Sequence, residues 1–193
     1  CFATSVLLAL IPLLKDGLLD PSTIVIDAKS GATGAGKAAK LELLFSEVAD
    51  NCLPYKVGNH QHLPEIMTYL NKFAGISTKP FFTTHLLPFK RGIISSIYAR
   101  TSAREDQLEA AFLRAYSDYS LVRFQSLTQG QNLLKQSLVV GSASTHISYR
   151  IVEGQLFLFS CIDNLLKGAA SQAIENWNVL HRLPSTTSLE KLQ

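Results

Sequence analysis

The chain has 193 residues, 47% hydrophobic and 17% charged, which is enough apolar content for one domain with a substantial core and the wrong balance for a disordered chain. A formal charge of +3, spread evenly along the sequence, excludes the dense basic footprint of a nucleic-acid binder. Three cysteines, Cys1, Cys52 and Cys161, without paired spacing argue against a secreted disulfide framework and a zinc ribbon, and point to a reducing, cytoplasmic setting.

The run Val6 to Leu14 is too short to span a bilayer and lacks the flanks of a signal peptide, so no membrane partner is expected. Within Thr4 to Leu18 it predicts a largely buried helix, stopped by Gly17 with Asp20-Pro21 beyond. Cys1 then stands just ahead of a helix N-terminus. Thr23 to Asp27 is β-branched and predicts a strand, followed by the glycine turn Ser30 to Gly36 and a helical pattern from Lys37 to about Val48. Leu63-Pro64-Glu65 opens a helix to about Phe73. Strands are expected at Phe81 to Leu87, Gly92 to Arg100, Leu121 to Gln125, Ser137 to Val140, Thr145 to Val152 and Gln155 to Cys161. Glu153-Gly154 joins the last two as a hairpin turn. Ala103 to Tyr116 carries Leu108, Ala111, Phe112 and Ala115 on one helical face, and a final helix is expected from Asn164 to Leu180. Helices scattered among adjacent strands indicate one α+β domain, with a mixed, mostly antiparallel sheet flanked by helices.

Four constellations could carry chemistry. A thiol at a helix N-terminus is stabilised as the thiolate by the helix dipole and free N–H groups, which makes Cys1 a candidate nucleophile, against the reading of a small hydrophobe. Gly31 to Gly36-Lys37 nearly matches a phosphate-binding P-loop, but Ala38 stands where Ser or Thr would hold Mg²⁺. A glycine loop offering backbone N–H groups to some other phosphate fits better. His60-Gln61-His62 could supply a general base; no further His or Cys cluster completes a metal site, so no metal is expected. His85, followed by the basic turn Lys90-Arg91-Gly92, could clamp a carboxylate or phosphate.

Together, Cys1-Phe-Ala-Thr4, Ser30-Gly-Ala-Thr-Gly-Ala-Gly36, His60-Gln-His62-Leu-Pro-Glu-Ile66, His85-Leu-Leu-Pro-Phe-Lys-Arg-Gly92 and Ile162-Asp-Asn-Leu-Leu-Lys-Gly-Ala-Ala170 resemble the N-acetyl-gamma-glutamyl-phosphate reductases in order and spacing, over practically the whole chain. The resemblance implies the catalytic and dimerisation domain shared with aspartate-semialdehyde and glyceraldehyde-phosphate dehydrogenases. In that family a nucleotide-binding Rossmann domain precedes the cysteine, and the helix matching Asn164 to Leu180 packs on it. It further implies an NADPH-dependent reduction of an acyl phosphate in arginine biosynthesis and a homo-oligomer, dimer or tetramer, formed through the sheet. Cys1 would be the nucleophile and His60 or His62 the base. Arg91, with His85, would hold substrate, and Ser30, Gly31, Gly34, Gly36, Asn164 and Lys167 would lie near the cofactor. Lys37, Gln61, Ala143 and Ser171 depart from the residues usual in that family. The rival classes are a related semialdehyde dehydrogenase, a non-catalytic dimerisation domain, and an amidohydrolase whose N-terminal cysteine is the nucleophile, in which a strand would follow Cys1.

Overall fold

The computed structural model describes residues 1–129 and 135–189. Seven strands form one mixed sheet: β1 (Val25–Ser30), β2 (Leu53–Pro54), β3 (Phe81–Leu86), β4 (Ile93–Arg100), β5 (Val122–Ser126), β6 (Thr145–Val152) and β7 (Gln155–Ile162). Their order across the sheet is β2-β3-β1-β4-β7-β6-β5, with β1/β3 and β5/β6 parallel and the other pairs antiparallel. The helices are α1 (Phe2–Lys15), α2 (Phe45–Val48), α3 (His62–Ala74), α4 (Glu105–Tyr116) and α5 (Ser171–Leu180). The expected α+β class is what is found. No helix among the described residues is long and apolar enough to cross a membrane.

Alternation along the strands sorts side chains by face. Ile26 and Ala28 of β1, Ile93 and Ile97 of β4, Ile147 and Tyr149 of β6, and Leu156 and Leu158 of β7 are buried in the core. Val6, Ala9, Leu10 and Leu13 of α1 reach that core from the helical side, each fully buried, and α1 also packs on α3 and α4. Burying a Val or Leu side chain contributes about 1.5–3 kcal/mol, so α1 is held mainly by apolar contact. Polar contacts made by two side chains, Ser5 and Tyr116, set its register. Ser5 Oγ donates to Ser95 Oγ at 2.9 Å on β4 and lies 3.2 Å from the Ser160 carbonyl of β7. Pro12 has no N–H for the Leu8 carbonyl one turn before it, and the Tyr116 hydroxyl of α4 donates to that oxygen at 2.7 Å instead.

The opposite face of the sheet is exposed in part, although Ser96, His146, Ser148 and Cys161 on it are buried. Val25 and Phe81 are exposed there, and Tyr98, Phe157 and Phe159 form an aromatic patch with ring centroids 5.9 and 6.4 Å apart.

Four expectations differ from the structure. The first strand starts at Val25, because Asp20 caps a 3₁₀ turn over Pro21–Thr23 by accepting the Ser22 N–H. The Lys37 to Val48 helix reduces to a 3₁₀ turn, Leu41–Leu43, and the single turn α2: Leu41 is 79% and Phe45 88% exposed, so an apolar helical face would have no core to meet. Ser137 to Val140 is no strand, since β5 and β7 already occupy both edges of β6; a 3₁₀ turn, Gln136–Leu138, stands there. The final helix opens with a π-turn, Leu166–Ala170, ahead of α5.

Replacing Tyr116 by Phe removes the partner of the half-buried Leu8 carbonyl and is expected to cost about 1 kcal/mol in chemical denaturation. In a Pro12→Ala background, where residue 12 regains an N–H for that oxygen, the cost is expected to shrink.

Candidate active site

Cys1 is the N-cap of α1 and is half-buried. It opens onto a cavity of about 720 Å³, whose walls include Phe2, His60 and His62 on one side and Ser30, Gly31 and Gly34 on another. The helix that starts directly after Cys1 removes the structural basis for the amidohydrolase reading, which calls for a strand there. The other two cysteines differ from it. Cys52 is exposed, and burial pushes the Cys161 thiol up to about 12.

His62 opens α3 and His60 lies two residues before it, in the turn leading into the helix. The Phe2 ring meets His60 edge-on at 5.4 Å and His62 at 5.8 Å, and the two imidazoles stack at 5.0 Å. Stacked rings do not converge on a common point, and among the described residues no group of three or more His, Cys, Asp or Glu could hold a metal ion. His60 Nδ1 accepts the backbone N–H of His62 at 3.2 Å, which places any proton of the neutral ring on Nε2. His62 Nδ1 is buried without a hydrogen-bond partner among the described residues. Burial lowers both imidazoles to about 4, joined at His60 by the Lys56 ammonium and then the Cys1 amino group, and at His62 by the Cys1 amino group first, so both are neutral at pH 7.

The glycine loop is placed differently from a phosphate cradle. The N–H groups of Gly31, Ala32 and Thr33 donate to the carbonyls of Gly92, Phe89 and Lys90, at 3.0, 2.9 and 3.0 Å, so these three serve the neighbouring turn and not a ligand. Only glycine fits at 31, because a Cβ there would sit 2.8 Å from the Lys90 and Arg91 backbone. A 3₁₀ turn, Ala32–Ala35, follows β1 and no helix continues from it, which removes the P-loop context. Gly36 ends that turn at φ +80° and lies outside the cavity wall. Asn164 ties the loop to its neighbour: its Oδ1 accepts the Gly92 N–H at 2.6 Å and its Nδ2 donates to Thr33 Oγ1 at 3.0 Å.

Besides Gly36 and Asn164, three more expected site residues do not line the cavity. Arg91 pairs with the buried Asp163 at 2.7 Å, a carboxylate that also accepts the N–H groups of Gly141, Leu165 and Leu166. His85 lies in β3 beside Asp27, 3.1 Å from its carboxylate, on the sheet face turned away from the helices. Lys167 is fully buried and donates to both Glu175 carboxylate oxygens at 2.7 and 2.9 Å. The cations that do line the cavity are Lys40 and Lys56, joined by Tyr55, whose phenol burial pushes up. Their nearness to His60 along the chain was the available signal for Tyr55 and Lys56.

Residues 1–164 match the family model of the semialdehyde dehydrogenase dimerisation domain. The chain belongs to that family. It is 42% identical to a protein of Geobacter metallireducens named N-acetyl-gamma-glutamyl-phosphate reductase, over all of this chain and 56% of that protein. A protein of the same name from Moorella thermoacetica is 41% identical over 98% of this chain and 55% of its own length. The chain thus spans about half the length of the curated relatives it matches. Aspartate semialdehyde dehydrogenase of Francisella tularensis has the same fold, with a TM-score of 0.73 at 17% identity over 94% of this chain and 63% of that one. So has aspartate semialdehyde dehydrogenase II of Vibrio cholerae, with a TM-score of 0.69 at 17% identity over 92% of this chain and 59% of that one. The glyceraldehyde-phosphate-dehydrogenase-like domain inferred from resemblance agrees with these folds.

Unfolded histidines titrate near 6.5 and these two near 4, so between those values the unfolded chain binds protons that the folded chain does not. Their contribution to stability is complete above pH 6.5 and is lost as pH falls towards 4. His62→Gln is expected to flatten the dependence of unfolding free energy on pH in that window. The imidazole resonances of both residues are expected to stay at neutral positions in NMR titrations down to about pH 5.

Proposed function

We propose that this chain is the catalytic and dimerisation portion of a cytoplasmic, NADPH-dependent N-acetyl-gamma-glutamyl-phosphate reductase of arginine biosynthesis. The carrying observation is Cys1, presented by the α1 N-terminus to a cavity whose wall holds both neutral imidazoles. A thiolate is favoured there by the helix dipole. His62 is the base we favour, because Nδ1 of His60 is already taken by the α3 backbone while Nδ1 of His62 has no partner among the described residues. The proton of the Cys1 thiol passes to His62, and sulfur attacks the carbonyl carbon of N-acetylglutamyl 5-phosphate. The C–O bond to phosphate breaks with its electron pair, leaving a thioester on Cys1 and free phosphate. Lys40 and Lys56, set against Glu42, leave the charged lining positive on balance for this anionic substrate.

Residues at the glycine loop fit the nicotinamide end of a cofactor. A Cβ at Gly34 would lie in ordinary contact, 3.5 Å, with both Ser30 Oγ and Asn164 Nδ2, so Gly34 leaves a small space beside a hydroxyl and an amide. Ser30, Gly34 and Asn164 would hold the nicotinamide, which supplies hydride to the thioester carbon when bound. Carbon–sulfur cleavage then returns the electron pair to Cys1 and frees the semialdehyde, with His62 exchanging the proton.

The exposed part of the far sheet face, with Phe81 exposed and Tyr98, Phe157 and Phe159 half-buried, supports association of copies of this chain through that face, in keeping with a dimerisation-domain family.

In the intact enzyme, Cys1→Ser is expected to abolish NADPH-dependent reduction of the acyl phosphate; retained turnover would remove the proposal. His62→Gln is expected to lower kcat by about 10²–10⁴-fold, and His60→Gln by less. Lys56→Ala is expected to raise KM for the acyl phosphate more than it lowers kcat, measured by steady-state kinetics.

A further inference from the structure

Between β7 and α5 the chain makes the π-turn Leu166–Ala170, a rare arrangement in which Gly168 donates its N–H to the Asp163 carbonyl, five residues back, at 2.9 Å. The turn presses on the reactive end of α1. A Cβ built on Gly168 would lie 2.6 Å from Cys1 Cβ and 3.2 Å from Cys1 Cα. Carbon atoms pack at about 3.5–4.0 Å, so any side chain at 168 would displace Cys1 or the turn by about 1 Å.

The turn is anchored from behind. Lys167, its second residue, is fully buried and donates to both carboxylate oxygens of Glu175 in α5 and, at 3.2 Å, to the Tyr119 hydroxyl beyond α4. Asp163 Oδ1 accepts the N–H groups of Leu165 and Leu166 at 2.8 and 3.0 Å, which fixes the entry to the turn. A buried ion pair stabilises a fold no better than apolar residues of equal volume would, whereas its directional hydrogen bonds fix where the bonded segments lie.

We infer that Gly168 is a positioning residue for Cys1: the bare backbone of the π-turn forms the stop that sets the sulfur's place at the cavity, and the Lys167–Glu175 pair holds that stop in position. This rests on Cys1 being the nucleophile. A misplacement of about 1 Å at a reacting atom lowers rates by about 10²-fold.

The test is made on the intact enzyme with three readouts: kcat against KM, the pH profile of Cys1 alkylation by iodoacetamide followed by peptide mass, and the thermal midpoint. Gly168→Ala is expected to lower kcat by about 10²-fold with KM within about twofold. It is also expected to shift the alkylation profile and to lower the midpoint. Adding Cys1→Gly to Gly168→Ala removes the opposing Cβ and is expected to recover most of the lost midpoint, a readout that survives even if the single variant folds poorly. Replacing both Lys167 and Glu175 by Met is expected to keep the midpoint while shifting the alkylation profile as Gly168→Ala does. The inference is overturned if Gly168→Ala alkylates at Cys1 with the parental rate and profile, or if Cys1→Gly restores nothing. An unchanged profile in the double Met variant overturns the role given to the ion pair. If Cys1→Ser kept reductase turnover, the reductase reading would fall, while the steric coupling of residues 1 and 168 would still be measured.

Discussion

Because α1 is apolar over most of its surface, it has one stable place, between the sheet and helices α3 and α4, and everything at the cavity follows from that burial. Val6, Leu10 and Leu13 anchor it in the core, Ser5 fixes its register on β4 and β7, and Tyr116 satisfies the one carbonyl that Pro12 leaves without a partner. Its N-terminal end then emerges beside the start of α3 and the end of β1. A thiol, two imidazoles and a glycine turn therefore share one cavity although they are far apart in the chain.

The cavity works against the usual behaviour of its groups. Burial holds both histidines neutral, while the helix N-terminus beside them favours negative charge on sulfur. Both imidazoles share the cavity with the Cys1 thiol, and the burial that keeps them neutral also weakens them as bases, so negative charge forming on sulfur would have to raise their proton affinity. The hydrogen bond into His60 Nδ1 separates the two rings chemically, although they are stacked and two residues apart.

Much of the polar chemistry around the site is structural. The first amides of the glycine loop are spent on the turn before β4, Asn164 spans loop and turn, and Asp163 collects Arg91 together with three backbone N–H groups. Desolvating such groups is costly unless each finds a partner, and the partners here are one another.

The sequence by itself determined the class of the fold and part of the lining of the cavity. Strand alternation and helix periodicity are local properties, so the α+β pattern, most strand positions and the burial of the first helix were legible; so was the shared motif order that brought Cys1, His60, His62, Ser30, Gly31 and Gly34 under one reading. Only tertiary structure decided the rest, because it depended on what each group meets across the fold. The segment from Lys37 to Val48 has helical periodicity and no core to bury it. Arg91 and Lys167 have the charge for an anion site, yet Asp163 and Glu175, distant or hidden in the linear pattern, take them first. His85 falls on the far face of the sheet because strand parity places it there, and Gly168 meets Cys1 only because a π-turn folds back on the helix that begins the chain.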